Sequence, residues 1–182
     1  MPISGWFLFQ PELGGYNAAV TKERFHLLHI ALFEPEIPPN TGNIARLCAA
    51  TGTVLHLIGR LGFRLDDRSL LRAGLDYWDA VEVQKHAAYA AFENSWTQAG
   101  GDPRRVFAFT AKSSINYTQV SYLDGDCLLF GGETYGLPGE MIERLGERAL
   151  TIPMPGGKVR SLNLATATGI VLYEALRQLR KW

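Results

Sequence analysis

From residue 30 onward the chain alternates short unbroken apolar runs with longer stretches in which apolar positions recur at helical spacing. Ile30-Ala31-Leu32-Phe33 and Val54-Leu55-His56-Leu57-Ile58 are the first two runs, and 80–83, 106–110, 126–130 and 149–152 predict four more strands. Between them, residues 44–51 closed by Gly52 predict a helix, its start marked by the cap-type residues Asn40-Thr41-Gly42-Asn43. Residues 87–98, rich in alanine and aromatics, predict another. Pro138 suits the first turn of a helix running to about Leu145, and residues 162–179 predict a long final one. A helix through 66–73 would set Arg68 and Arg72 on one face, a solvated surface or a phosphate-contacting patch.

Strands that are continuous apolar runs, alternating with helices, predict an α/β domain with a mostly parallel sheet and helices on both faces. Ligands of such sheets bind beyond the carboxyl ends of the strands. Three loops rich in glycine or proline qualify, at 38–42, 131–139 and 153–157, and their convergence is the expected active site. Residues 1–28, where Pro2, Gly5, Pro11, Gly14 and Gly15 break up Trp6-Phe7-Leu8-Phe9, read as an N-terminal extension to a single domain over 29–182.

Composition narrows the picture by exclusion. The 182 residues suit one domain with a substantial core. Eighteen basic residues balance eighteen acidic ones, so any anion site must be local. Cys48 and Cys127 sit inside apolar segments, too few for a disulfide framework, which points to a reducing cytoplasmic setting. No apolar run is long enough to span a bilayer, and no secretory signal pattern opens the chain. The histidines, His26, His29, His56 and His86, lack metal-ligand spacing and read as surface or core groups. No G-x-G-x-x-G follows the first strand and no Walker lysine motif occurs, which disfavours a standard dinucleotide or P-loop site.

The stretch from Ile152 to Ala165 is the richest in candidate chemistry. It runs from a strand through Pro155-Gly156-Gly157 into a helix start that carries Lys158, Arg160, Ser161 and Asn163. Unpaired amides and the helix dipole draw anions to such a terminus, although the same residues also suit an ordinary loop with Ser161 as N-cap. Gly131, Gly132 and Gly136 permit close backbone approach by a flat ligand such as adenine or ribose, or simply make a turn. Arg46 is either a snorkelling surface residue or a bidentate phosphate clamp.

In order along the chain, Asn40-x-Gly42-Asn43-x-x-Arg46, then Phe130-Gly131-x-Glu133-x-x-Gly136-Leu137-Pro138, then Ile152-Pro153-Met154 with Arg160-Ser161-Leu162-Asn163-Leu164, resemble the three motifs of the SPOUT 2′-O-ribose methyltransferases. Glu34-Pro35-Glu36-Ile37-Pro38, Gly74-Leu75-Asp76-Tyr77 and Tyr173-Glu174-Ala175 are similar to the small single-domain members that methylate the wobble cytidine or uridine of tRNA. The resemblance implies a C-terminal deep trefoil knot, against the usual scarcity of knots. It implies a homodimer, S-adenosyl-L-methionine as methyl donor, and a tRNA anticodon stem-loop as partner, without metal or membrane. It also implies cofactor contacts at Phe109, Thr110, Gly131, Ile152, Met154, Ser161 and Leu162, and a catalytic centre at Arg46, Glu133, Asn163 and Tyr173, to which Ser161 also matches. Arg46 cannot easily act as a base and is expected to hold phosphate or ribose, with Tyr173 as proton acceptor or phosphate contact. The 155–159 loop is about one residue longer than in some relatives, and Ala165 stands where a serine is frequent. Methylation of ribosomal or other RNA, or a non-catalytic RNA-binding module, are the alternative readings.

Overall fold

The computed structural model of the chain describes residues 28–64 and 80–181. Residues 1–27 of the leader, with His26, the candidate helix with Arg68 and Arg72, and Gly74-Leu75-Asp76-Tyr77 lie outside the described residues. Six strands, β1 (His29–Phe33), β2 (Val54–Ile58), β3 (Val83–His86), β4 (Val106–Phe109), β5 (Cys127–Gly131) and β6 (Ala149–Leu150), form one sheet in the order β3-β2-β1-β5-β4-β6. Every pairing is parallel. The helices are α1 (Pro38–Thr51), α2 (Tyr89–Gln98), α3 (Gly139–Leu145) and α4 (Leu164–Arg180).

Successive side chains of a strand point to opposite faces, so each apolar run feeds two cores. Ile30, Leu32, Leu55, Leu57, Leu128 and Phe130 pack on one face with Ile44 and Cys48 of α1 and Val171 and Leu172 of α4. Ala31, Ile58, Val106, Ala108 and Leu129 pack on the other with Phe92 and Trp96 of α2 and Leu145 of α3. The doubly covered parallel sheet expected from the pattern is therefore borne out. Leu28, assigned to the extension by the sequence, is already part of the core, and its carbonyl accepts from Val54 N at 3.2 Å.

Four boundaries differ from the expected ones, each for a local reason. Helix α1 starts at Pro38 rather than 44, so Asn40 to Asn43 are helical and not a loop. Two prolines open it, and a residue without N–H sacrifices nothing in a first turn. Strand β3 comprises Val83–His86 rather than 80–83. As the edge strand it has only β2 beside it, which tolerates the polar Gln84 and Lys85. Helix α4 is capped by Asn163, whose side-chain oxygen accepts from Ala165 N at 2.9 Å and Thr166 N at 3.2 Å, and not by Ser161.

The fourth is β6, which is only two residues long because its path is taken up on both sides. Thr110 N donates to Leu150 O (2.9 Å) from β4. On the far side Thr151 N donates to Ile115 O (2.7 Å), Tyr117 N to Thr151 O (3.0 Å), and the Ser113 hydroxyl to Ala149 O (2.6 Å). The chain entering at residue 149 thus runs between β4 and the connection that follows β4.

On the α2 side of the sheet, His29, His56 and His86 form a hydrogen-bonded line, with 2.9 Å between the first two rings and 3.0 Å between the last two. His56 and His86 are buried, one of the two settings expected of the histidines, and His29 is half-buried at the end of the line. Burial pushes the Cys48 thiol up to about 12 and the Cys127 thiol up as well, so both are inert apolar groups near neutrality.

Candidate active site

At the carboxyl ends of β4 and β5 the chain leaves a cleft of about 570 Å³, within the range of small-molecule sites. It is built by Phe109 and Thr110 from the end of β4, by Gly131 to Leu137 after β5, by Thr151, Ile152, Met154 and Arg160 to Asn163 ahead of α4, and by Asn40 of α1. Phe109 and Phe130 stack with centroids 4.9 Å apart and give it an apolar wall.

The turn after β5 is fixed by its neighbours. Gly136 N donates to Gly132 O (2.9 Å) and Gly136 has φ +68°, a conformation suited to glycine. A methyl group on Gly131 would lie 2.2 Å from the Gly136 carbonyl carbon, so this glycine is demanded first by the fold of its own turn. Two carboxylates then tie the turn to the segment after β1. Glu36 accepts from Thr134 N (2.9 Å) and the Thr134 hydroxyl (2.6 Å), contacts that hold its carboxyl below the usual range. Reciprocally, Glu133 accepts from Glu36 N (2.8 Å), Ile37 N (3.3 Å) and the Asn40 carboxamide (2.8 Å). Glu133 thereby supplies the negative charge that the start of α1 lacks in its own sequence. Asn163 completes the chain, its Nδ2 donating to Asn40 Oδ1 at 2.9 Å.

All seven residues expected to touch the cofactor, Phe109, Thr110, Gly131, Ile152, Met154, Ser161 and Leu162, line this one cleft, as do Glu133 and Asn163. Arg46 and Tyr173 do not. Each sits six residues beyond a lining residue of its helix, Asn40 and Ala167 respectively, which is about 9 Å further along the axis and on a different face. Both are exposed, Tyr173 at 48%. Arg160, one of the basic residues singled out ahead of the last helix, lines the cleft, and so do Lys112, Thr134 and Tyr135, to which the sequence gave no role there. Lys112 follows the end of β4 by three positions, and that placement was the available signal. Asn40 stood in the first motif without a function, and a polar residue inside a helix start is where its cross-link was foreshadowed.

The lining fits a nucleoside carrying a sulfonium side chain. Phe109, Leu137, Ile152 and Ala167 offer apolar surface to a purine and an aliphatic chain, while residues 152–154 lie outside the strand ladders and present backbone polar groups. Among the described residues there is no group of three or more side chains placed to hold a metal ion, and no helix long and apolar enough to cross a membrane.

Comparison with known proteins agrees with this geometry. Residues 27–173 match the SpoU rRNA Methylase family. The chain is 49% identical over 154 residues to an Escherichia coli tRNA (cytidine(34)-2'-O)-methyltransferase, a match covering 84% of this chain and 94% of that one. A solved structure described by the 2-OH methylation of C/U34 on tRNA superposes with a TM-score of 0.78 at 49% identity, covering 86% of this chain and 99% of that one. An AdoMet-bound rRNA methyltransferase from Sinorhizobium meliloti gives a TM-score of 0.74 at 32% identity, over 84% of this chain and 57% of that one.

Proposed function

The chain belongs to the SpoU rRNA methylase family, and from that premise we propose that it transfers a methyl group from S-adenosyl-L-methionine to the 2′-hydroxyl of the wobble ribose, at cytidine or uridine, of tRNA. One observation carries the reading: three segments far apart in sequence, after β4, after β5 and before α4, meet in a single cleft that holds every expected cofactor contact. S-adenosyl-L-methionine supplies an electrophilic methyl on a sulfonium sulfur.

The work left to the protein is alignment. A ribose hydroxyl is a weak nucleophile, and holding it in line with the methyl supplies most of the acceleration. The Phe109 wall and Leu137 exclude water from the donor, while the Glu36–Thr134 and Glu133–Asn40–Asn163 bonds tie the turn after β5 to the segment after β1, to α1 and to the segment before α4. Transfer would form the oxygen–carbon bond as the methyl–sulfur bond breaks and leaves a neutral thioether; the hydroxyl proton must leave as well, and Tyr173 serves as its acceptor or as a phosphate contact. Arg46 holds the adjoining phosphate or ribose as a permanent cation.

Both residues stand off the cleft of their own subunit, on α1 and α4, which pack against each other. A homodimer formed through these helices brings them to the cleft of the second copy, and this is the assembly we infer. The anticodon stem-loop then lies across both subunits, which suits a chain with no net charge that must gather phosphate contacts from two surfaces. The strand entering at residue 149 between β4 and the connection beyond it supports the trefoil knot as the path of the C-terminal segment. Action on tRNA supports a cytoplasmic location, with the residues ahead of Leu28 an appendage to the catalytic domain.

The test is mass spectrometry of nucleosides from tRNA incubated with the purified chain and S-adenosyl-L-methionine. A 2′-O-methyl group confined to the wobble nucleotide is expected. Methylation only of ribosomal RNA would give the function to the alternative substrate, and no transfer at all would leave an RNA-binding module.

A further inference from the structure

Beside the main cleft lies a smaller one of about 350 Å³, lined in part by Glu34, Arg60 and Leu61. The two clefts share Gly132, Tyr135 and Gly136, so Tyr135 stands on the wall between them. The residue is 86% exposed, more than any other large hydrophobic residue among those described. A single exposed aromatic is unremarkable on a mobile surface. This one is presented by a turn that is pinned at every neighbouring position. Gly136 bonds back to Gly132, Thr134 makes two bonds to Glu36, Glu133 makes three to the segment after β1, and Gly131 lies against the turn's own backbone. The backbone is therefore already ordered, and a ligand that stacks on the ring need not pay for that ordering on binding. The floor of the smaller cleft is built with similar economy of space. Glu34 holds φ +49°, rare for a residue other than glycine, and a methyl on Gly59 would meet its Cγ at 2.8 Å.

Resting on the ribose-methylating reading above, we propose that Tyr135 is the stacking platform for the base of the target nucleotide, which occupies the smaller cleft while its ribose faces the methyl donor in the larger one. A sugar and its base are joined by one bond, so their two sites must adjoin, and these two have three residues in common. Stacking on an aromatic face tolerates any base. Arg60 adds a cation on the rim of the cleft, and the O2 carbonyl that it would meet is present on cytidine and uridine alike. The surface thus accepts both pyrimidines without reading the group that distinguishes them.

The experiment uses the full chain with Tyr135→Ala and Tyr135→Trp, and two synthetic anticodon stem-loops, one with uridine at the wobble position and one with an abasic ribose there. RNA affinity is read by fluorescence anisotropy, methyl transfer by kcat/KM, and cofactor affinity by calorimetry. Tyr135→Ala is expected to weaken binding of the uridine RNA about tenfold and to lower kcat/KM in parallel, with Tyr135→Trp within about threefold of the wild type. Cofactor affinity stays at the wild-type value, and the abasic RNA binds the wild type and Tyr135→Ala equally. Undiminished binding of the uridine RNA by Tyr135→Ala overturns the proposal, as does an equal loss on both RNAs. A weakened cofactor affinity also overturns it, assigning the ring to the donor. A wild-type protein that transfers no methyl defeats the proposed function instead, and the ratio of the two RNA affinities, with and without the tyrosine ring, still decides the stacking.

Discussion

Asn163 and Asn40, 123 positions apart in the chain, meet in a 2.9 Å hydrogen bond from one carboxamide to the other. The Asn40 carboxamide passes the link on to Glu133 at 2.8 Å. Two residues matched to a catalytic centre are thus joined through a third; Asn163 also caps α4, and Glu133 accepts from the two amides just ahead of α1. Asn163→Ser keeps an oxygen for the α4 cap but removes the bridge. It should cost about 1–3 kcal/mol in urea unfolding, because the buried Asn40 oxygen is left without its donor, and cofactor affinity should fall with it. Stability equal to wild type would show that the bridge contributes nothing.

Gly131→Ala tests the turn more sharply. Its new methyl would stand 2.2 Å from Gly136 C and 2.3 Å from Leu137 N, distances no backbone tolerates, so the turn must move. Calorimetry should detect no cofactor binding by a protein whose circular dichroism is unchanged. Retained binding would remove this turn from the donor site.

Arg46 lies off the cleft that holds the cofactor contacts. Arg46→Ala should therefore reduce methyl transfer at least about a hundredfold, the scale of losing a charge-stabilising contact, while cofactor affinity stays within about twofold. Mixing Arg46→Ala with a Gly131→Ala partner tests the shared site. If each cleft draws Arg46 from the other copy, a mixed dimer has one cleft with both residues intact and regains activity that neither variant has alone.

The histidine line predicts how stability depends on pH. Burial, followed by the neighbouring His29 and His86 rings, pushes the His56 imidazole down to about 3 from an ordinary 6.5. The folded state thus favours the neutral ring, and the unfolded chain binds the proton more readily. The stability from this group is complete above pH 6.5 and is lost as pH falls toward 3, on the order of a few kcal/mol in all. The melting temperature should drop across that interval, and His56→Leu should flatten the drop. A wild-type profile level from pH 7 to 4 would contradict this account.

How the chain divides between what could be read and what could not follows from the reach of each signal. Ile30 to Phe33, Val54 to Ile58 and Cys127 to Phe130 announced a buried parallel sheet, because an apolar run is a local property that survives whatever packs around it. The three motifs, ordered along the chain, pointed to the cleft and to all seven of its expected cofactor contacts. The start of α1 differs from the expected one, since Asn40-Thr41-Gly42-Asn43 has the composition of a loop, whereas Pro38 and Pro39 open a helical turn there and a distant carboxylate holds the amides ahead of it and the Asn40 side chain. Glu133 and Asn163 were legible as members of the motifs, but the partners of their hydrogen bonds, Asn40 and backbone amides, were not. Periodicity, chain-breaking residues and motif order are written in neighbouring positions. Which donor a carboxylate finds, which helix face Arg46 occupies and which clefts Tyr135 divides depend on contacts between segments a hundred residues apart, and only the folded chain brings those together.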